Sequence, residues 1–374
     1  MALVLTEEQQ MIRTAARDFV AGRSSLRRVR ELGASGGFDR ALWREMADLG
    51  WLGLTCPEEL GGSGLGHVAQ MVVLEELGRA LRPEPFVPSV LLCQAALVLG
   101  GTPAQREDHV PAIARGERIL ALAADEAGSR FELDRVATKA TASGDGVTLR
   151  GSKTHVLGGM AADVLLVSAL DPSGAIELYL VPADAVGVER EAERRLDGRD
   201  AAEVRLFGVE VPSAARVPGG LALLERVVDR ATVGLCAEML GSMSAAFAMT
   251  VEYLKTRVQF GVPIGSFQAL QHRAARLFVE IELCRSAVWR AHALLDEPAE
   301  VASDDAVARA GSVAKAKCSE VFMLVGHEAI QMHGGIGMTD EHDIGLFLKR
   351  ARVAEMTFGD GIHHRDRFAR LSGF

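Results

Sequence analysis

The sequence predicts an α+β fold in three parts: an N-terminal α-helical domain, a central β-domain and a C-terminal four-helix bundle. Three observations predict it. From Leu221 to Thr256 the chain runs roughly 35 residues without proline, about 50 Å of helix if unbroken. From about Leu120 to Pro218 it breaks instead into short alternating apolar runs separated by Gly, Asp and Ser, as strands joined by turns do. Everything before that has helical texture. The expected domains are therefore 1–118, 119–220 and 221–374.

Within the first part, Thr6 followed by Gln9 reads as a capping box, in its glutamine form, opening a helix through Phe19. Leu42–Leu49 and Val68–Leu81 are further helices, and the glycines of Pro57–Gly64 make a loop between them. The strands are expected at Gly146–Arg150, Val164–Val167, Ile176–Val181 and Ala202–Leu206. In the last part a turn at Gly261–Gly265 stops the long helix. Helices follow at about Phe267–Leu295, Ser303–Met332 and Glu341–Glu355, with a final one near His363–Leu371. Four long helices with short connections imply an antiparallel bundle.

Bulk composition narrows the function. The 374 residues are 48% hydrophobic and 24% charged, which is globular composition. A net charge of −9 argues against nucleic acid as the main partner, because phosphate contacts need clustered cations. The five cysteines are scattered, without a CxxC pair, and read as free thiols in a reducing cytoplasm. Met1–Glu8 has no basic region followed by a long apolar one, so no export signal is expected. Apolar runs such as Ile119–Ala124 fall short of a membrane span, so no membrane partner is expected either.

Two segments carry candidate chemistry. Tyr253–Gln268 puts Arg257 at the end of the long helix beside a tight glycine turn, with amide side chains opening the next helix. A guanidinium there can fork onto a pyrophosphate, or it can simply answer the helix dipole. Gln331–Met338 ends a helix in a glycine cluster, either a plain C-cap or a place where backbone approaches a flat or phosphorylated ligand.

Together these segments resemble the acyl-CoA dehydrogenase family. Arg257-x-Gln259-Phe260-Gly261, the Pro263-Ile264 turn and Phe267-Gln268 look like its arginine–glutamine–phenylalanine–glycine motif. Gln331-x-His333-Gly334-Gly335 looks like its glutamine–glycine–glycine motif, and Pro57–Gly64 followed by Glu75-Glu76-Leu77-Gly78-Arg79 resembles it too. The resemblance covers essentially the whole chain. It implies the acyl-CoA dehydrogenase fold, an FAD cofactor, and α,β-dehydrogenation of an acyl-CoA thioester. A carboxylate takes the α-proton in that reaction while the β-hydrogen leaves as hydride. It also implies a homodimer, a tetramer or a heteromer. Arg257, Gln259, Phe260, Gln268, Gln331, Gly334 and Gly335 would reach a neighbouring subunit's FAD, with His333 a motif residue beside it.

The sequence departs from the family's pattern where the chemistry would be done. Counted without gaps from Lys349-Arg350-Ala351-Arg352, Phe358 occupies the place of the catalytic glutamate, and phenylalanine cannot accept a proton. The alternative base position on the first bundle helix is Ala231. Asp360 is the best surviving acid, with the competing role of capping the last helix. Glu355 is expected on a helix face. The flavin-lining segment is reduced to Ala124–Arg130, where Ser129 is the contact carried over. His155 and Leu157 replace the tryptophan and threonine that would stand against the ring. Asp229 and Gly359 are candidates for substrate contact, although Thr232 replaces Asp229's expected arginine partner. His363 and His364 are expected at a surface or interface, and no metal site is expected.

Three functions follow. The chain is an acyl-CoA dehydrogenase, alone or in a complex. Or it resembles the base-less partner subunits of heteromeric enzymes of steroid side-chain catabolism. Or it keeps the fold for other flavin chemistry, as an oxidase, a monooxygenase or a dehydrogenase of carrier-bound acyl groups.

Overall fold

The computed structural model of the chain describes residues 4–23 and 25–374. Residues 1–3, part of the opening read for an export signal, lie outside them. The first helix, α1 (Glu7–Arg23), starts at the expected capping box: Thr6 N donates to Gln9 Oε1 at 3.1 Å and Gln9 N to Thr6 Oγ1 at 3.2 Å. Then come α2 (Leu26–Ser35), α3 (Arg40–Asp48) and α4 (Gly66–Arg79). The glycine-rich loop before α4 contains a short 3-10 turn at Glu58–Leu60. Phe86–Gln94 is a π-helical segment with all nine residues buried, continuing into α5 (Ala95–Gly100). Next is α6 (Pro103–Ala114), opened by a second capping box at Thr102 and Gln105.

The strands are β1 (Leu120–Ala123), β2 (Lys139–Ser143), β3 (Gly146–Leu157), β4 (Val164–Leu170), β5 (Ile176–Pro182), β6 (Val188–Ala192), β7 (Ala201–Pro212) and β8 (Arg216–Val217). The predicted strands are all present, and β3 and β7 are much longer than alternation alone suggested. The long helix is α7 (Gly220–Thr256), 37 residues. A tight hairpin of β9 (Val258–Gln259) and β10 (Val262–Pro263) follows it. The chain ends with α8 (Gln268–Leu295), α9 (Asp304–His333), α10 (Ile344–Met356) and α11 (Gly361–Leu371).

Packing divides the chain into two compact units. One comprises Glu31–Gly66 and Pro83–Ala231. Its sheet has the order β6-β7-β3-β2-β4-β5-β8, with β1 parallel to β4, over a core that includes Leu149, Leu165, Val181 and Val204. Inside this sheet Lys153 is fully buried and donates to Glu126 Oε1 at 2.7 Å and Ser168 Oγ at 2.9 Å. Between Lys153 and Val156 the β3–β7 register shifts. That irregularity lifts Thr154 and His155 out of the ladder, and His155 takes a positive φ of 54°.

The other unit comprises Met1–Arg30, His67–Arg82 and Thr232–Phe374. By length and composition α7 could cross a membrane, yet 72% of its most apolar window is buried inside the protein, which marks a core helix. The approach of α4 to the α7 segment of this unit is set by two glycines. A Cβ on Gly78 would lie 2.1 Å from Glu238 O, and one on Gly241 1.8 Å from Glu75 O. Backbone meets backbone there, and Ser242 Oγ bridges the contact, 2.8 Å from Gly78 O and 3.0 Å from Glu238 O. Three buried carboxylates flank it. Glu75 pairs with Arg285 of α8 at 2.6 Å, Glu76 with Arg17 of α1 at 2.8 Å, and Glu238 with Arg350 of α10 at 2.9 Å.

This contact yields a prediction. Gly241→Ala should force the helices apart and cost about 3 kcal/mol or more, read as a lower urea midpoint at constant slope. A loss below about 0.5 kcal/mol would mean that the helices have room to part.

Candidate cofactor and base-loop site

The two candidate cofactor segments, some seventy positions apart in sequence, come together in one place. Tyr253, one turn before the end of α7, stacks on His333, the last residue of α9, with ring centroids 4.5 Å apart. His342 packs against both rings, 4.6 Å from His333 and edge-on to Tyr253 at 6.4 Å. The hairpin that follows α7 is shaped by Phe260 and Gly261, at φ of 53° and 81°, and fastened by Ile264 N donating to Arg257 O at 2.8 Å. Its side chains point to solvent: Arg257, Gln259, Phe260 and Gln268 are all exposed, Phe260 at 91%. Gln331, Gly334 and Gly335 are exposed as well.

These residues fit a ligand with a pyrophosphate and hydrogen-bonding hydroxyls, which is the chemistry of FAD. Among the described residues, the side chains of Arg257, Gln259, Gln268 and Gln331 have no hydrogen-bond or ion-pair partner. Space is open where a Cβ would stand on Gly334 and Gly335, so a ligand can approach the backbone closely. Gly334 has φ 65° and ψ −141°, a conformation only glycine takes readily. Beside it, His333 Nδ1 donates to Ala329 O at 2.7 Å, while its buried Nε2 has no partner.

The loop after α10 is held differently. Phe358 adopts a positive φ of 60°. Gly359 follows at φ 108°, where a Cβ would lie 2.5 Å from His363 Cδ2. Asp360 Oδ1 accepts from Ile362 N at 3.0 Å and His363 N at 2.8 Å, which makes it the N-cap of α11. Glu355 lies on α10 and pairs with Arg352 one turn earlier.

The expectation for His364 is corrected. It is 2% exposed, not at a surface, and its Nε2 donates to Phe358 O at 2.9 Å. A histidine beside another histidine and an arginine gives no hint of this, because α11 turns that one residue inward onto α9. Lys315 was missed altogether. It is fully buried on α9 and donates to Gly359 O at 2.6 Å, Glu355 O at 2.9 Å and Ser319 Oγ at 3.1 Å. Its only sequence signal is a charge on the apolar face of a helix.

The β-domain segment is closed on itself. Ser129 is 5% exposed, and its hydroxyl serves the turn, exchanging hydrogen bonds with Glu126 N and O. Glu126 in turn accepts from Ala137 N, from Thr138 N and Oγ1, and from Lys153. His155 projects outward with Nδ1 2.8 Å from Glu193. Asp229 is buried and partnered on α7, and Thr232 and Ala231 beside it are buried too. No group of three or more metal-ligating side chains occurs among the described residues.

Comparison with known proteins decides the lineage. Residues 6–117 match the N-terminal domain of acyl-CoA dehydrogenases and residues 219–372 the C-terminal domain. The chain belongs to the acyl-CoA dehydrogenase family. It is 33% identical to acyl-CoA dehydrogenase FadE27 of Mycobacterium tuberculosis, over 89% of this chain and 88% of that one. Among solved structures it resembles a variant of the Tcur3481-Tcur3483 steroid ACAD, at 34% identity, TM-score 0.88 and 98% coverage of both chains. It also resembles a chain of the ChsE4-ChsE5 complex from Mycobacterium tuberculosis, at 31% identity, TM-score 0.89 and full coverage of both.

The site unit carries two neutral, buried histidines with a consequence for pH. Burial pushes His292 down to about 4; burial, with the Lys315 charge second, pushes His364 down to about 3. Unfolded histidine takes its proton near pH 6.5. As pH falls below that value the unfolded chain gains protons that the folded one refuses, so stability drops. Between pH 6.5 and 5 each histidine should contribute a loss of about 2 kcal/mol, seen as a falling urea midpoint. A His364→Phe variant should show a shallower fall over that window; an unchanged slope would contradict the assignment.

Proposed function

We propose that the chain works as one subunit of an FAD-dependent acyl-CoA dehydrogenase, in a complex that removes the α and β hydrogens of an acyl-CoA thioester. In this reading it is the partner subunit that completes the FAD site of a related chain, and the related chain supplies the base. The observation that carries the reading is residue 358. Phenylalanine stands where the resemblance puts the base, and Asp360, the nearest acid, is engaged as a helix cap through the oxygen facing α11. The self-sufficient reading needs Asp360 to leave that cap and turn back two positions.

When bound, FAD supplies the acceptor for the hydride. Arg257 offers a fork of charge-assisted hydrogen bonds to a pyrophosphate, and the amides of Gln259, Gln268 and Gln331 offer both donors and acceptors. Gly334 and Gly335 leave their backbone accessible to the same ligand. Phe358 contributes an apolar wall and no proton transfer. The named steroid ACAD and the ChsE4-ChsE5 complex, at over 30% identity, support a heteromeric assembly and a steroid-bearing acyl group. Five buried, unpaired cysteines are consistent with a cytoplasmic setting.

Purification tests this. The chain alone should be colourless and should gain a flavin spectrum only when co-expressed with a base-bearing relative. A yellow chain whose flavin band bleaches anaerobically with acyl-CoA would overturn the partner role, and Asp360→Asn would then ask whether that acid is the base. In the complex, Arg257→Ala should weaken FAD retention about tenfold to a hundredfold, from the loss of a charged hydrogen-bond donor. The isolated chain's stability should stay within about 0.5 kcal/mol, as expected for an exposed side chain.

A further inference from the structure

The loop that carries residue 358 is fixed far more firmly than a loop ending in a phenylalanine needs. Two of its carbonyls, and one from the last turn of α10 before it, are taken by buried side chains. Lys315 Nζ holds Glu355 O and Gly359 O, and His364 Nε2 holds Phe358 O. Neither donor has slack. The third acceptor of Lys315 is Ser319 Oγ, so its three ammonium protons meet three acceptors. His364 Nδ1 faces Ser312 Oγ at 3.3 Å, which leaves Nε2 as the donor to the loop. Asp360 ties the far end to α11.

Two features show that the grip has a cost. Phe358 sits in left-handed backbone, a conformation a bulky residue takes only when its surroundings impose it. Lys315 is fully buried with only neutral atoms in hydrogen-bonding contact, and burying an ammonium group that way is expensive. Burial also pushes it down to about 8. The titratable groups around it are Glu355, Asp360, Cys236, Cys318 and His364.

We propose that Lys315 and His364 are positioning residues, gripping three carbonyls so that the side chain of residue 358 leaves the backbone in one fixed direction beside a buried cation. The inference rests on the functional reading above, in which residue 358 stands at the proton-abstracting position. In that reading the loop is a mount for a group that must point one way, and in this chain the mount holds an apolar group. A carboxylate or thiolate placed at 358 would be oriented by the backbone and stabilised by the Lys315 charge one residue away.

The test needs neither FAD nor a partner. All five native cysteines are buried, so Phe358→Cys in the full chain creates a single accessible thiol, whose titration is read by iodoacetamide alkylation against pH. Its midpoint should lie about one pH unit below that of F358C/K315M, roughly a tenfold difference in thiolate fraction. In Lys315→Met, hydrogen exchange of the amides in 357–363 should quicken at least about tenfold while those in the middle of α7 keep their protection. If Lys315→Met does not fold, F358C/H364F carries the exchange measurement on the second grip, and the titration is read on F358C alone, whose midpoint should lie about one pH unit below the ordinary thiol value of about 8.5. An unchanged thiol midpoint, or unchanged exchange in the loop, overturns the proposal. A lone chain that binds FAD would overturn the partner role and leave this inference standing.

Discussion

The α4–α7 contact is the constraint on which the bundle unit depends. Gly78 and Gly241 remove the only atoms that would keep the two backbones apart. Once the helices are that close, Glu75, Glu76 and Glu238 lie in a dry seam and must be neutralised. Arg285, Arg17 and Arg350 do so from three other helices. The contact thereby fixes α1, α8 and α10 about one axis. The acidic pair and glycine in Glu75-Glu76-Leu77-Gly78 are thus more than a family signature: they are the backbone approach and two of its counter-charges.

The same unit separates two kinds of functional surface. The Arg257 hairpin and the Gln331–Gly335 turn have backbones shaped by glycines and leave their side chains uncommitted, as suits groups that bind something outside the chain. The loop at Phe358 is the reverse, with its backbone polar groups consumed by Lys315 and His364. In the sheet unit the Ala124–Arg130 segment is consumed as well, its serine and glutamate spent on neighbouring backbone and on Lys153. Uncommitted donors suit a surface that binds something outside the chain; spent donors suit a segment held in one place.

Much of this was legible in the sequence because the signals are local. The opening box at Thr6 and Gln9 and the proline-free run of α7 depend on residues a few positions apart, and so do the strand alternations. Asp360's cap was legible for the same reason. What could not be read depends on residues far apart. Lys315 and Glu355 are forty positions apart and meet only after α9 and α10 pack, while His364 turns inward because of where α11 lands. The π-helical segment Phe86–Gln94 was hidden differently. Its apolar residues cover every face, and Pro88 within it reads as a breaker, so neither period nor punctuation gives its bounds or its π-helical form.

The ring cluster of Tyr253, His333 and His342 gives the two exposed candidate cofactor segments a shared foundation. A ligand that orders the hairpin by engaging Arg257 also steadies Tyr253 one turn away, and through it the end of α9 where Gly334 begins. The entropy of ordering is then largely met by whichever segment binds first. Affinities measured with either segment disabled will not add up to the affinity of the whole, and the shortfall is the coupling energy carried by three packed rings.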